Sequence, residues 1–211
     1  MSAFFEFVTK EWYFALPLFL MSLTAMALVI LRILLNLEAR TDLNDFLPRL
    51  QSALSEHGPE AALEFSKTQK GLIAKKLIPA ALETRSQGAA AMRRAMANVI
   101  ELEILPDLNR WLAPILAIAK IATMVGLLLT VVSMINTFTA IQQASGAGGV
   151  TSQAGAIGLA LFATAFGLVT AIPLVFAHVL FKDWINRYEI QMKSAGQKLL
   201  VMLQEGKAAK S

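Results

Sequence analysis

The chain has 211 residues, 56% of them hydrophobic and 16% charged, with a formal net charge of +4. Its mean hydropathy of +0.57 is too high for an ordinary soluble domain of this length, so a membrane protein is the first expectation. The absence of cysteine excludes disulfides, thiolate nucleophiles and thiolate-ligated metals, and basic residues that are not gathered into one stripe argue against nucleic-acid binding.

Residues 1–11 are expected to form a short N-terminal segment outside the cytoplasm. The first apolar run, 12–37, opens on the interfacial pair Trp12 and Tyr13 and carries Arg32 as its only interior charge. It exceeds the roughly 20 residues that cross a hydrocarbon core. A cleaved signal peptide is the competing reading, but the run follows Glu6 and Glu11, is too long for a signal core and lacks a clear small-residue cleavage site. Arg32 is expected to snorkel to the far interface.

Residues 38–111 read as a helical cytoplasmic region. Leu43, Phe46, Leu47, Leu50 and Leu54 return at helical spacing, and Gly58-Pro59 breaks the pattern before a second helix ending near Phe65. From Leu72 to Leu105 alanine-rich and charged turns alternate; Pro79 is expected to kink or restart the helix, and Pro106 to mark a boundary before the membrane. Glu83, Arg85, Arg93, Arg94, Glu101 and Glu103 read as a solvated face, with a docking surface as the sharper alternative.

The second span is placed at 112–141, charge-free from Ile121 onward, and the third at 156–181. The uncharged Gly/Ser/Gln stretch 142–155 between them reads as a hairpin turn. Residues 182–211 complete the chain as a C-terminal helix and tail. Lys and Arg crowd between Arg40 and Arg110 and return from Lys182 onward, while none lies between spans two and three. By the positive-inside tendency the large loop and the tail are cytoplasmic, and the N-terminus and the hairpin tip are periplasmic.

At about 100° per residue, Thr123, Gly126, Ser133 and Thr137 fall within roughly 60° of Thr130 on span two. The same construction about Thr164 on span three gathers Ala160, Gly167, Ala171 and, at the inner end, His178, together with larger apolar residues. Small residues let membrane helices approach closely, and Ser and Thr bond back to their own backbone, so packing is one reading. The other is a polar-spotted passage in an oligomer, with hydroxyls replacing part of an ion's hydration. Spans two and three contain no Asp or Glu, so an acid for ion binding has to come from a partner. His178 reads as an interfacial polar residue, with a gate or proton relay as the sharper alternative. No glycine-rich phosphate loop or nucleophile-base constellation is visible, and an enzyme is not expected.

Two stretches resemble the MotA/TolQ/ExbB proton-channel family. Gly126-Leu-Leu-Leu-Thr130-Val131-Val-Ser-Met134-Ile-Asn-Thr-Phe138 is similar to its second-span motif, and Ala160-Leu-Phe-Ala-Thr164-Ala-Phe-Gly167-Leu-Val-Thr-Ala171-Ile-Pro173 to its third. The three-span plan and weaker similarity from Gly58 to Ala74 extend the resemblance over nearly the whole chain. It implies an all-α integral membrane protein of the bacterial inner membrane, assembled as a pentameric ring around a dimer of ExbD/TolR-like single-span partners, each with an intramembrane Asp. It further implies that Thr130 and Thr164 are ion-path residues, that Thr123, Gly126, Ser133, Thr137, Ala160, Gly167 and Ala171 line the channel or touch the partner helices, and that Pro173 bends span three. No cofactor is implied beyond the transported H+ or Na+.

The sequence departs from the family pattern at Leu129 and Ser133, where glycines are usual, at Thr123 in place of an entrance proline, and at Leu159, where ExbB proteins often carry a glutamate. The implied function is an ExbB/TolQ-like motor subunit that couples ion motive force to work across the envelope, with a TonB- or TolA-like protein as a further partner. TolQ-like envelope maintenance and a non-conducting membrane scaffold are the alternatives; a four-span MotA-like stator fits less well.

Overall fold

A computed structural model of the chain describes residues 12–143 and 150–208, all of the regular elements being helical. These are α1 (Trp12–Ala39), α2 (Leu43–Glu56), α3 (Gly58–Thr68), α4 (Ile78–Glu83), α5 (Ala89–Asn98), α6 (Leu105–Asn109), α7 (Leu112–Gln143) and α8 (Val150–Ala208), with π-helical turns at Ile73–Leu77 and Val99–Ile104 and a 3-10 turn at Arg85–Gln87. Among the described residues, three helical stretches are long and apolar enough to cross a membrane. The expected N-terminal segment 1–11 lies outside the described residues, and so do 144–149 of the expected turn. The other end of that turn differs from expectation: α8 already begins at Val150, because Val150-Thr-Ser-Gln-Ala contains neither proline nor a glycine pair to stop a helix. At its other end α8 runs past Lys182 without a break and reaches 59 residues.

The chain divides into two compact units, Met1–Leu31 with Trp111–Leu180, and Arg32–Arg110 with Phe181–Ser211. In the first, Leu18 of α1 meets Leu129 of α7 and Ala163 of α8, with Val125, Phe162 and Phe166 around them. Large apolar side chains cover the outside: Phe19, Met124, Leu161, Val169 and Ile172 are each 60–67% exposed. Water would penalise such a surface heavily, whereas lipid accepts it.

α1 buries a narrow stripe. Leu18, Ala25, Arg32 and Ala39, seven residues apart, are its buried positions, and their neighbours around the helix are half-buried or exposed. A seven-residue repeat is the spacing of a helix that touches its neighbours along a single seam. Arg32 falls on that seam: it is 1% exposed, and its guanidinium carbon stands 6.0 Å over the Phe181 ring.

The second unit is built on large aliphatic side chains. Leu50, Ile73, Leu77, Ile78, Ile104, Met192 and Leu199 are fully enclosed, and Phe46 stacks on Phe65 with ring centroids 6.0 Å apart. Two prolines shape the connecting helices. Pro79 and Pro106 each lack the N–H that the carbonyl four residues earlier would accept, and each follows a π-helical turn, at Ile73–Leu77 and Val99–Ile104. The wider turn carries the chain past the proline ring without ending the helical path.

The segment after α1 is tied down at two points. Tyr188 donates from its phenol to the Ala39 carbonyl at 2.5 Å. Gly71, at φ +93°, lies so close to Thr41 that a Cβ would sit 2.0 Å from its Oγ1, so only glycine fits. Ion pairs such as Lys76–Asp107 at 3.1 Å and Lys67–Glu83 at 3.2 Å lie at the surface and contribute little each. Arg93, Arg94, Glu101 and Glu103 are exposed.

Candidate functional site

The buried positions of α7 are Leu112, Ile115, Ala119, Ala122, Gly126, Leu129 and Thr137, a stripe at three- and four-residue steps as far as Leu129 that faces its neighbours in the first unit. On α8 the matching stripe is Ala160, Ala163, Gly167, Thr170, Ala171 and Leu174. Where the two meet, glycine lets the backbones touch. A Cβ added to Gly126 would lie 3.2 Å from the Thr164 Cα, and one added to Gly167 would lie 2.7 Å from the Ala122 carbonyl oxygen. The first is tight, and the second requires the backbone to move.

The two threonines converge on this crossing. Thr164 donates from Oγ1 across the helix pair to the carbonyl of Gly126 at 2.9 Å. Thr130 donates from Oγ1 to the carbonyl of Leu127, the next residue along, at 2.6 Å. Two hydroxyls from two helices therefore bond to adjacent carbonyls of one turn of α7, and both side chains are half-buried.

That geometry has a chemical consequence. A hydroxyl has one proton to give and two lone pairs to offer. With the protons of Thr130 and Thr164 committed to carbonyls, each oxygen presents lone pairs only. Such oxygens can accept from a protonated acid or hydronium, or ligate a bare cation, but cannot hold an anion. Between Leu112 and Phe181 the only ionisable side chains are Lys120 and His178, so these segments supply no carboxylate of their own.

The remaining residues singled out from sequence separate into two groups. Gly126, Ala160, Gly167, Ala171 and Thr137 are buried in the chain's own interior, where they serve close helix contact; Thr137 donates back to the Ser133 carbonyl at 2.8 Å. Thr123 and Ser133 are half-buried like Thr130, and Thr123 donates to the Lys120 carbonyl at 2.7 Å. Pro173 is exposed inside the uninterrupted α8, where it leaves the Val169 carbonyl without its helical donor.

Four side chains outside these two groups also stand out in the structure. Thr170 is a buried hydroxyl that donates to the Phe166 carbonyl at 3.1 Å. His178 reaches the Leu112 carbonyl through Nδ1 at 3.2 Å. In the second unit, Arg32 has no hydrogen-bond partner at Nε and Nη2, nor has Asn36 at Oδ1 one turn later. A lone charge inside an apolar run was the visible signal for Arg32; its inward direction depends on the seven-residue seam. Among the described residues no group of His, Asp and Glu could hold a metal ion.

A family model described as the MotA/TolQ/ExbB proton channel family matches residues 66–194. The matched segment contains Thr130, Thr164 and the whole of α7. No curated protein matches the chain.

Proposed function

The chain belongs to the MotA/TolQ/ExbB proton channel family, and from this we propose that it is the ion-channel subunit of an ExbB/TolQ-like motor in a bacterial inner membrane. In this reading the N-terminus faces the periplasm and the 38–111 region and tail face the cytoplasm. Copies of the chain, five by the resemblance, surround a pair of single-span partner helices that bring the missing acid. H+ or Na+ moving past Thr130 and Thr164 alternately neutralises that acid, the partner helices turn or shift, and a TonB- or TolA-like protein carries the work outward.

One observation carries the reading: two hydroxyls from different helices are fixed on adjacent carbonyls with their lone pairs left over, in spans that have no acid. Lone-pair oxygens stabilise a proton donor or a cation, and fixed ones do so without reorganising. The test is Thr130→Val combined with Thr164→Val, which removes both oxygens at nearly constant volume. Ion-driven work is expected to be lost while the complex still assembles. Full activity in the double variant would defeat the proposal.

The Gly126–Gly167 contact favours a second reading, a non-conducting scaffold that uses the same faces only for packing. A scaffold assembles equally well without the partner acid and is indifferent to collapse of the gradient. The motor is not.

A further inference from the structure

We infer that His178 is a proton-transfer residue at the end of α8's apolar run, taking up and releasing the proton at Nε2. The inference rests on the ion-passage reading above and adds a residue to it. The geometry starts from Nδ1, which lies 3.2 Å from the main-chain carbonyl of Leu112. A carbonyl can only accept, so Nδ1 carries a hydrogen. In the neutral ring that leaves the lone pair on Nε2; in the imidazolium both nitrogens are protonated and the Nδ1 bond is unchanged. The tie to the first residue of α7 therefore leaves Nε2 uncommitted.

Its place on the helix fits the task. His178 lies about 21 Å along the axis of α8 from Thr164, toward its Lys182 end. It stands four residues before Lys182, the first charge after the apolar run, and it is half-buried.

The charged groups nearest along each helix do not compete for the role. Lys120 of α7 is exposed and lies eight residues beyond Leu112 along the helix. On α8, Lys182 is exposed and Asp183 is held by Arg187 at 2.8 Å. Arg32 of α1 lies over Phe181, and a guanidinium does not release its proton in proteins.

The step conserves its atoms. The Nε2 lone pair forms an N–H bond to a proton arriving from a hydronium or a protonated acid, and the same bond breaks when water takes that proton away. Nδ1–H stays in place throughout.

The experiment uses the assembled complex in liposomes under an imposed pH gradient, with proton flux read by an enclosed pH-sensitive dye. His178→Asn retains a donor where Nδ1 stands, so the bond to Leu112 survives, but it does not titrate. His178→Ala removes both functions and opens space for added imidazole. Flux is expected to fall about ten-fold or more in each variant, with imidazole restoring His178→Ala and not His178→Asn. Flux at the wild-type rate in His178→Asn would overturn the inference while leaving the channel reading intact, because it would reduce the ring to a packing contact. An absence of flux from the wild-type complex would overturn both.

Discussion

The α7–α8 pair and the core of the second unit hold helices together with opposite sets of residues. In the pair, the closest backbone approach is at Ala122, Gly126, Ala163 and Gly167, with Leu129 and Leu174 buried beside them, and the large side chains Met124, Leu161, Val169 and Ile172 point away. In the second unit the large side chains Leu50, Ile73, Leu77 and Ile104 are the contact, and charged ones such as Arg93, Arg94, Glu101 and Glu103 point away, with Arg32 as the buried exception. The difference follows from the solvent. Lipid is as apolar as leucine, so burying leucine there gains little, and association depends on close backbone approach and hydrogen bonds. Water drives each aliphatic side chain inward at roughly 25 cal/mol per Å2 of apolar area. One chain thus carries two packing rules, and substitutions should reveal which rule governs where.

The largest effect is expected in the second unit. Leu77→Ala removes a fully enclosed side chain and leaves a cavity, which costs about 2–5 kcal/mol. The expected outcome is a clear drop in the melting temperature of the detergent-solubilised protein. A change near zero would mean that this core is loosely filled and that the comparison is wrong on its aqueous side.

The next effect probes the pair. Gly167→Ala adds one methyl group against the backbone of Ala122, which cannot step aside as a flexible side chain could, so overpacking is expected to cost about 1–3 kcal/mol. Gly158→Ala is the control, because a Cβ there meets nothing within 4 Å. The yield of monodisperse protein after extraction should fall for Gly167→Ala and hold for Gly158→Ala. Equal behaviour of the two would remove close approach from the account of α7 and α8.

How far the sequence discloses these rules depends on the kind of signal. The three long apolar stretches are written in composition alone, and the structure has three helices that can span. The small-residue stripes on α7 and α8 were also visible at helical spacing. Periodicity could not say whether they faced a passage or each other, because an oligomer's lining and a monomer's seam obey the same repeat. The structure assigns Gly126 and Gly167 to the seam. The bond from Thr164 to the Gly126 carbonyl joins residues on different helices, so no local pattern announces it. The direction of Arg32 is hidden for a related reason: α1 is apolar on every side, and nothing in its composition marks the narrow seam through Leu18, Ala25 and Ala39 on which the guanidinium lies. The start of α8 at Val150 is masked in the sequence because the Gly/Ser/Gln content of 142–155 outweighs the helix-compatible run from Val150.

The smallest effect belongs to a single buried hydrogen bond. Tyr188 donates to the Ala39 carbonyl and stacks on Trp184 at 5.1 Å, so Tyr188→Phe keeps the ring and removes one bond, at a cost of about 0.5–1.5 kcal/mol. Its pH dependence identifies it. Burial pushes the phenol above its usual value of 10.0, with Thr41 and the backbone at Ile73 and Leu72 pulling partly the other way. A raised folded value means that the contribution is fully present below pH 10, where both states are protonated. It is lost as pH climbs from there through the folded value, because the unfolded chain ionises first. Denaturation followed by circular dichroism at pH 8 and again above pH 10 should show wild type losing stability over that interval and Tyr188→Phe losing less. An equally steep alkaline loss in the variant would mean that Ala39 is held by its apolar contacts alone, and that the end of α1 follows the aliphatic rule of the second unit without help from a polar clasp.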